Sequence, residues 1–246
     1  MDVHDRLRAW WDEDAYAYDR SAGHAMSDPV EAAAWRAVLT VDLPPAPARI
    51  LDVGAGTGAL SLAAAELGHE VTAVDLSGEM LGRGRTKAAE RRLDVTFVEG
   101  RAESPPDGPF DAVITRHLLW TLPAPVEALR AWRAVVVPGG RLAVFEGSWA
   151  GDDPFVTVKD AIARVIEGLV GSEDGHHAPY PPEVLERLPL GRPTSPRPFL
   201  DAVADAGWTR LRLGRLRDIE WAAAHREPWP VGRLRHRPRF AIVADA

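Results

Sequence analysis

Residues Arg49 to Ser77, RILDVGAGTGALSLAAAELGHEVTAVDLS, constrain the fold more than any other part of the chain. An apolar run from Arg49 to Val53 enters the turn Gly54-Ala55-Gly56-Thr57-Gly58, and Ala59 to Leu67 then switch to a helical pattern. A second apolar run, Val71 to Val74, ends at Asp75. Strand, glycine turn, helix and strand make a βαβ unit of parallel sheet. Glycines let a ligand lie close to the main chain, and the unpaired N–H groups of the helix start favour an electron-rich group. Asp75 stands at the carboxyl end of its strand, where open parallel sheets present ligands. A carboxylate there is placed to accept hydrogen bonds from both hydroxyls of a ribose, which points to an adenosine-containing cofactor.

Two cofactor classes compete. Gly54, Gly56, Ala59 and Asp75 satisfy the loose dinucleotide fingerprint. The third glycine, Gly58, sits one place early, however, and Asp52 lies beside the ligand seat. Asp52 repels an anionic pyrophosphate but tolerates the ammonium and sulfonium of S-adenosylmethionine. This favours the methyl donor over NAD.

The alternation continues outward. Strands are predicted at about 49–54, 71–75, 95–99, 110–115 and 140–146, separated by helices near 58–67, 78–91 and 123–135. Residues 1–42 read as helices, closed by the stiff Leu43-Pro44-Pro45-Ala46-Pro47 connector. The stretch 147–200 breaks the pattern, with one amphipathic helix over Phe155 to Val170 and a polar loop over Gly171 to His177. Phe199 to Ala206 reads as a helix ending at Gly207, and Thr209 to Arg217 and Phe240 to Ala244 read as strands.

Composition excludes several classes. The chain has no cysteine, which removes disulfides, thiolate metal sites and cysteine nucleophiles. No run of 18 apolar residues is present, and Asp2, Asp5 and Asp12 interrupt any leader pattern, so a cytoplasmic protein with no membrane partner is expected. A net charge of −7 argues against a broad nucleic-acid surface. Nine arginines against three acids between Arg210 and Arg239 run counter to that balance; a solvated surface is the leading account, with an anionic partner or RNA as alternatives.

Four ordered motifs carry a family resemblance: Leu51 to Gly58; Val74-Asp75-Leu76-Ser77 with Met80-Leu81; Phe110 to Ile114; and Val137-Pro138-Gly139-Gly140-Arg141-Leu142. Over about residues 47–146 the chain resembles the class I S-adenosylmethionine-dependent methyltransferases, and within them the ubiquinone-biosynthesis-like, small-molecule branch. The resemblance implies one α/β domain over 1–246, with a seven-stranded Rossmann-like sheet of order 3-2-1-4-5-7-6 and a small helical cap. Residues 1–42 would form an N-terminal lid and 147–200 a cap insertion.

It also assigns roles. Gly54, Ala55, Gly56 and Gly58 would pass under the donor, Asp75 would take its ribose hydroxyls, and Asp52 would lie near its amino end. Leu76 and Met80 would contact the donor, Ala102 and Glu103 would border its adenine, Arg116 would meet the donor carboxylate, and Tyr18 would close over the donor. Arg101 stands where the family usually has an adenine-contacting aspartate; a guanidinium has no acceptor for that amino group. His117 is the candidate catalytic residue, able to orient an acceptor hydroxyl or take its proton. Trp10, Trp11, Tyr16 and Trp120 are candidate walls for the acceptor. His176 and His177 lack the spacing of a metal site, and no metal is expected. The implied activity is methyl transfer to O, N or C of a small molecule by a monomer or homodimer. An RNA or protein methyltransferase and a non-catalytic interaction protein retaining the donor fold are the alternatives.

Overall fold

The computed structural model describes residues 3–20, 24–147, 180, 182–191, 195–226, 229–234 and 237–246. The predicted helix over 155–170, the loop with His176 and His177, and most of the 147–200 insertion lie outside the described residues.

Seven strands form one sheet: β1 (Arg49–Val53), β2 (Glu70–Asp75), β3 (Val95–Glu99), β4 (Phe110–Arg116), β5 (Val136–Gly147), β6 (Thr209–Arg215) and β7 (Arg239–Asp245). Their order is β3-β2-β1-β4-β5-β7-β6, the order expected. The first five strands are parallel, and β7 runs antiparallel between β5 and β6. The helices are α1 (Val3–Tyr18), α2 (Pro29–Asp42), α3 (Ala59–Glu66), α4 (Gly78–Arg91), α5 (Pro125–Ala134), α6 (Pro182–Leu185), α7 (Arg197–Asp205), α8 (Arg217–Arg226) and α9 (Val231–Leu234) among the described residues. Two features differ from expectation. β5 begins at Val136, four residues early, and the segment after β6 turns helical at Arg217 where a strand end was predicted.

The central strands read as unbroken apolar runs because both faces are covered. Leu51, Val53, Val113, Leu142 and Val144 pack with Trp132, Phe199 and Trp208 on one face. Ile50, Ala112, Ile114, Ala143 and Phe145 pack with Trp35, Leu39 and Leu60 on the other. The two-residue period of β1 therefore sends Asp52 to the same face as Ile50, under the first turns of α3. Local signals set the helix starts. Asp28 caps α2 by accepting from the N–H groups of Val30 and Glu31, each at 2.9 Å. Ser77 caps α4 through Met80 N–H at 3.1 Å. β6 forms one edge of the sheet, almost wholly exposed, with a register irregularity between Thr209 and Arg212.

Candidate functional site

The turn after β1, the carboxyl ends of β2 and β3, and the loop after β4 meet at one edge of the sheet. The turn folds back on β2: the N–H groups of Gly54 and Ala55 both donate to the Val74 carbonyl, at 2.8 and 3.0 Å. Gly54 (φ 70) and Gly56 (φ 55) are left-handed. A Cβ on Gly54 would stand 2.7 Å from Leu118 Cδ1, whereas over Gly56 the nearest atom, Tyr18 Cε1, is 4.0 Å away. The backbone at Gly56 is thus open to a ligand lying under Tyr18. Gly58 is placed differently. It caps α3, a Cβ there would meet the Phe97 ring at 3.4 Å, and it lines neither recess described below.

Asp75 forms part of the cleft wall. Its Oδ2 accepts from Gly56 N–H at 2.7 Å and its Oδ1 from Ser77 N–H at 2.9 Å. Burial raises its carboxyl above the ordinary range, and these backbone bonds oppose the rise. The cleft gathers Trp11, Tyr18, Gly54, Gly56, Asp75, Leu76, Met80, Ala102, Glu103, Arg116 and His117. Arg101 also lines it. Ala102 is held in place by its carbonyl, which accepts from Trp132 Nε1 at 2.7 Å.

A smaller recess shares Tyr18, Gly54 and Arg116 with the cleft and adds Asp52 and Ala55. Asp52 is buried, and its Oδ2 accepts from the Ser61 hydroxyl at 2.5 Å. Burial pushes its carboxyl up to about 7; the Ser61 bond and Arg116 oppose this, and Asp75 adds to it. Arg116 donates from Nη2 to the His24 carbonyl at 2.7 Å and lies 5.4 Å over the Trp35 ring. Tyr18 stacks on His24 at 4.2 Å.

α1 lies over this edge on polar anchors that the sequence did not reveal. Asp12 accepts from the Ser77 hydroxyl at 2.5 Å. Asp19 accepts from Thr57 Oγ1 at 2.6 Å and pairs with Lys87 Nζ at 3.0 Å. His4 reaches Glu103 at 3.3 Å. Anchored in this way, α1 presents Trp11 and Tyr18 inward. Trp10 and Trp120 do not line the cleft but pack in a cluster around Tyr180, at 4.5 and 5.6 Å between ring centroids. Tyr16 is 66% exposed on α1, between the guanidiniums of Arg20 and Arg83, because it falls two positions from Tyr18 and so on another helix face.

His117 follows β4 with φ 58, its N–H donating to the Phe145 carbonyl at 3.0 Å. Its Nδ1 lies 3.6 Å from Oε2 of Glu146 at the end of β5. Glu146 is fully buried and its Oε1 accepts from Leu119 N–H at 2.9 Å. The sequence reading passed over Glu146; its signal was a lone carboxylate ending the apolar run Leu142 to Phe145 at the carboxyl edge of a parallel strand. Among the described residues no group of three or more His, Cys, Asp or Glu is placed to hold a metal ion, and no helix is long and apolar enough to cross a membrane.

Comparison with known proteins is consistent with this geometry. Residues 51–144 match a family described as a methyltransferase domain. A ubiquinone/menaquinone biosynthesis C-methyltransferase of Rhodopseudomonas palustris (strain BisB5) is 32% identical over 191 residues, which cover 72% of this chain and 74% of that protein. A ubiquinone biosynthesis O-methyltransferase of Xylella fastidiosa (strain 9a5c) is 30% identical over 202 residues, covering 80% and 70%. Among solved structures, geranyl diphosphate C-methyltransferase from Streptomyces coelicolor A3(2), in complex with Mg2+, geranyl diphosphate and S-adenosyl-L-homocysteine, shares the fold with a TM-score of 0.66 at 17% identity over 100% of this chain and 98% of that one. The [4+2]-cyclase SpnF does so equally, with a TM-score of 0.66 at 18% identity over 98% and 96%. The sheet thus hosts more than one chemistry, while the two relatives at 30% and 32% identity are methyltransferases, and by that kinship the chain belongs to the class I S-adenosylmethionine-dependent methyltransferases, related to those of ubiquinone biosynthesis.

Proposed function

We propose that this protein transfers the methyl group of S-adenosylmethionine to a small organic molecule. The observation that carries the reading is the joint arrangement of Asp75 and the glycine turn, which leaves an open cradle at Gly56 beside a half-buried carboxylate. The residues fit the donor. Asp75 retains acceptor capacity for a ribose hydroxyl beyond its backbone bonds from Gly56, Leu76 and Ser77. Leu76 and Met80 offer an apolar border for the adenine, and Arg116 with Tyr18 and Asp52 surrounds the recess suited to an amino acid moiety. When bound, the donor supplies an electrophilic methyl on a sulfonium. The protein's own part is to align the acceptor and exclude water, tasks suited to α1 and the aromatic cluster above the cleft. The acidic overall charge favours a small acceptor over RNA.

Calorimetric titration with S-adenosylmethionine, S-adenosylhomocysteine and NAD tests the donor site. Micromolar binding of the first two is expected, and Asp75→Ala should weaken it by about 1–3 kcal/mol. Preferential binding of NAD would sink the assignment. A screen of metabolite extract and RNA with isotopically labelled methyl donor then identifies the acceptor; label on RNA alone would exclude a small-molecule role.

A further inference from the structure

We infer that a second binding face, separate from the donor cleft, lies in the groove between α8 and α9 and receives an acidic segment, bearing apolar side chains, of a protein partner. The groove is lined by Arg217, Trp221, Ala224, Trp229, Gly232 and Arg233, none of which lines the cleft. Its two indoles set it apart. Trp229 is 83% exposed and Trp221 54%, whereas Trp35, Trp132 and Trp208 are buried in the core. Two exposed indoles that line one groove make an apolar patch of the kind that marks a partner site. Trp and Arg are also among the residues that most often carry the binding energy of an interface.

Local packing holds the groove open. Gly232 has no Cβ, and one placed there would collide with the Ala224 carbonyl oxygen, so α9 meets α8 backbone to backbone at the floor. Val231 beside it is buried and pins α9 in place. On the α8 side the rim is set in advance. The Trp221 ring lies against that of His225, with 4.1 Å between centroids, and His225 Nδ1 donates to the Trp221 carbonyl at 2.8 Å. An indole held in this way loses little freedom when a partner covers it.

Charge selects the occupant. The chain carries −7 overall, yet the groove presents the exposed guanidiniums of Arg217 and Arg233, neither of which forms an ion pair among the described residues. The carboxylate in the lining, Glu220, is already engaged: Arg215 donates to it at 2.9 to 3.1 Å and the Arg239 N–H at 2.7 Å. The positive charge that remains fits carboxylates, and the indoles fit apolar side chains. A hollow receives a protruding chain, whereas a lipid surface would leave the floor at Gly232 and Ala224 uncovered. A nucleic acid would be opposed by the net charge.

The test selects peptides from a random dodecapeptide library on the immobilised full chain and measures synthetic copies of the selected peptides by calorimetry. The expected peptides combine Asp or Glu with aromatic or aliphatic residues, and bind about tenfold more weakly when salt rises from roughly 0.05 to 0.5 M. Trp229→Ala and Arg233→Glu should each weaken binding by about tenfold or more with the melting temperature unchanged. Selection repeated on Arg233→Glu should turn from acidic towards basic peptides. Adhesion to phosphatidylglycerol vesicles, or dimerisation seen by light scattering, that Trp229→Ala abolishes would assign the groove to a membrane or to a second copy and overturn the inference. Failure to select any peptide whose binding needs both side chains overturns it too. Since groove and cleft share no lining residue, either failure leaves the donor site as it stands.

Discussion

Replacing Asp52 by asparagine probes the electrostatics of the donor seat. Asp52 is 1% exposed, and its carboxyl is pushed up to about 7, while in the unfolded chain it ionises near 3.8. The folded state therefore keeps a proton that the unfolded state releases between these values. Its contribution to stability is fully present below about 4, falls as pH rises towards about 7, and is level above that. At roughly 1.4 kcal/mol per pH unit the loss amounts to about 4 kcal/mol. Asparagine retains a carbonyl to accept from Ser61 and carries no charge. Asp52→Asn should match the parent in stability near pH 4 and exceed it by up to about 4 kcal/mol near pH 8, read by urea denaturation at both values. The donor adds a second readout. Its ammonium, seated by Asp52, favours the ionised carboxylate, so binding near pH 7 should release protons, visible as buffer-dependent heat, and the variant should lose that release. Parallel stability profiles for parent and variant, together with buffer-independent heat in the parent, refute the reasoning.

Two further outcomes follow from the turn and from α1. Gly54→Ala puts a Cβ 2.7 Å from Leu118 at a φ of 70, and should lower stability by about 1–3 kcal/mol and weaken donor binding; an unchanged melting temperature would show that the turn relaxes freely. The double change Asp12→Ala and Asp19→Ala removes the bonds to Ser77, Thr57 and Lys87, and should speed hydrogen exchange over residues 3–18 with S-adenosylhomocysteine bound while leaving β1 and β4 protected; equal exchange would assign the position of α1 to apolar packing alone.

The parts legible in the sequence were those fixed by local chemistry. Gly54 to Gly58 and Asp75 announced a strand, turn and helix because few other residues tolerate left-handed φ or a carboxylate at a strand end. The strand runs were legible because both sheet faces are covered, so apolar residues continue without alternation through Ala112 to Ile114 and Leu142 to Phe145. The sheet order, in contrast, came from resemblance, since periodicity carries no neighbour information. Glu146 and the Asp12 to Ser77 bond join segments 27 or more residues apart, and nothing near either acid identifies its partner. Tyr16 shows the opposite failure: clustering in sequence suggested a shared wall, but a helix turns adjacent aromatics to different sides. The segment after Leu213 reads as strand by its alternation of Arg with Leu, and becomes helical where Leu216 and Ile219 bury against the α2 side of the sheet.

The edge strand β6 has a consequence for how copies of this chain behave when crowded. Its outer row of backbone groups is a template on which a second strand can polymerise, and Leu213, half exposed, offers such a strand an apolar foothold. The strand also carries Arg210, Arg212 and Arg215, all exposed, and it is distorted between Thr209 and Arg212, with Arg210 at φ 51. Two such edges brought together would set like charges side by side across a twisted, ill-matched ladder. Arg212, exposed on this edge beside the irregular register, thus opposes the pairing of two such edges.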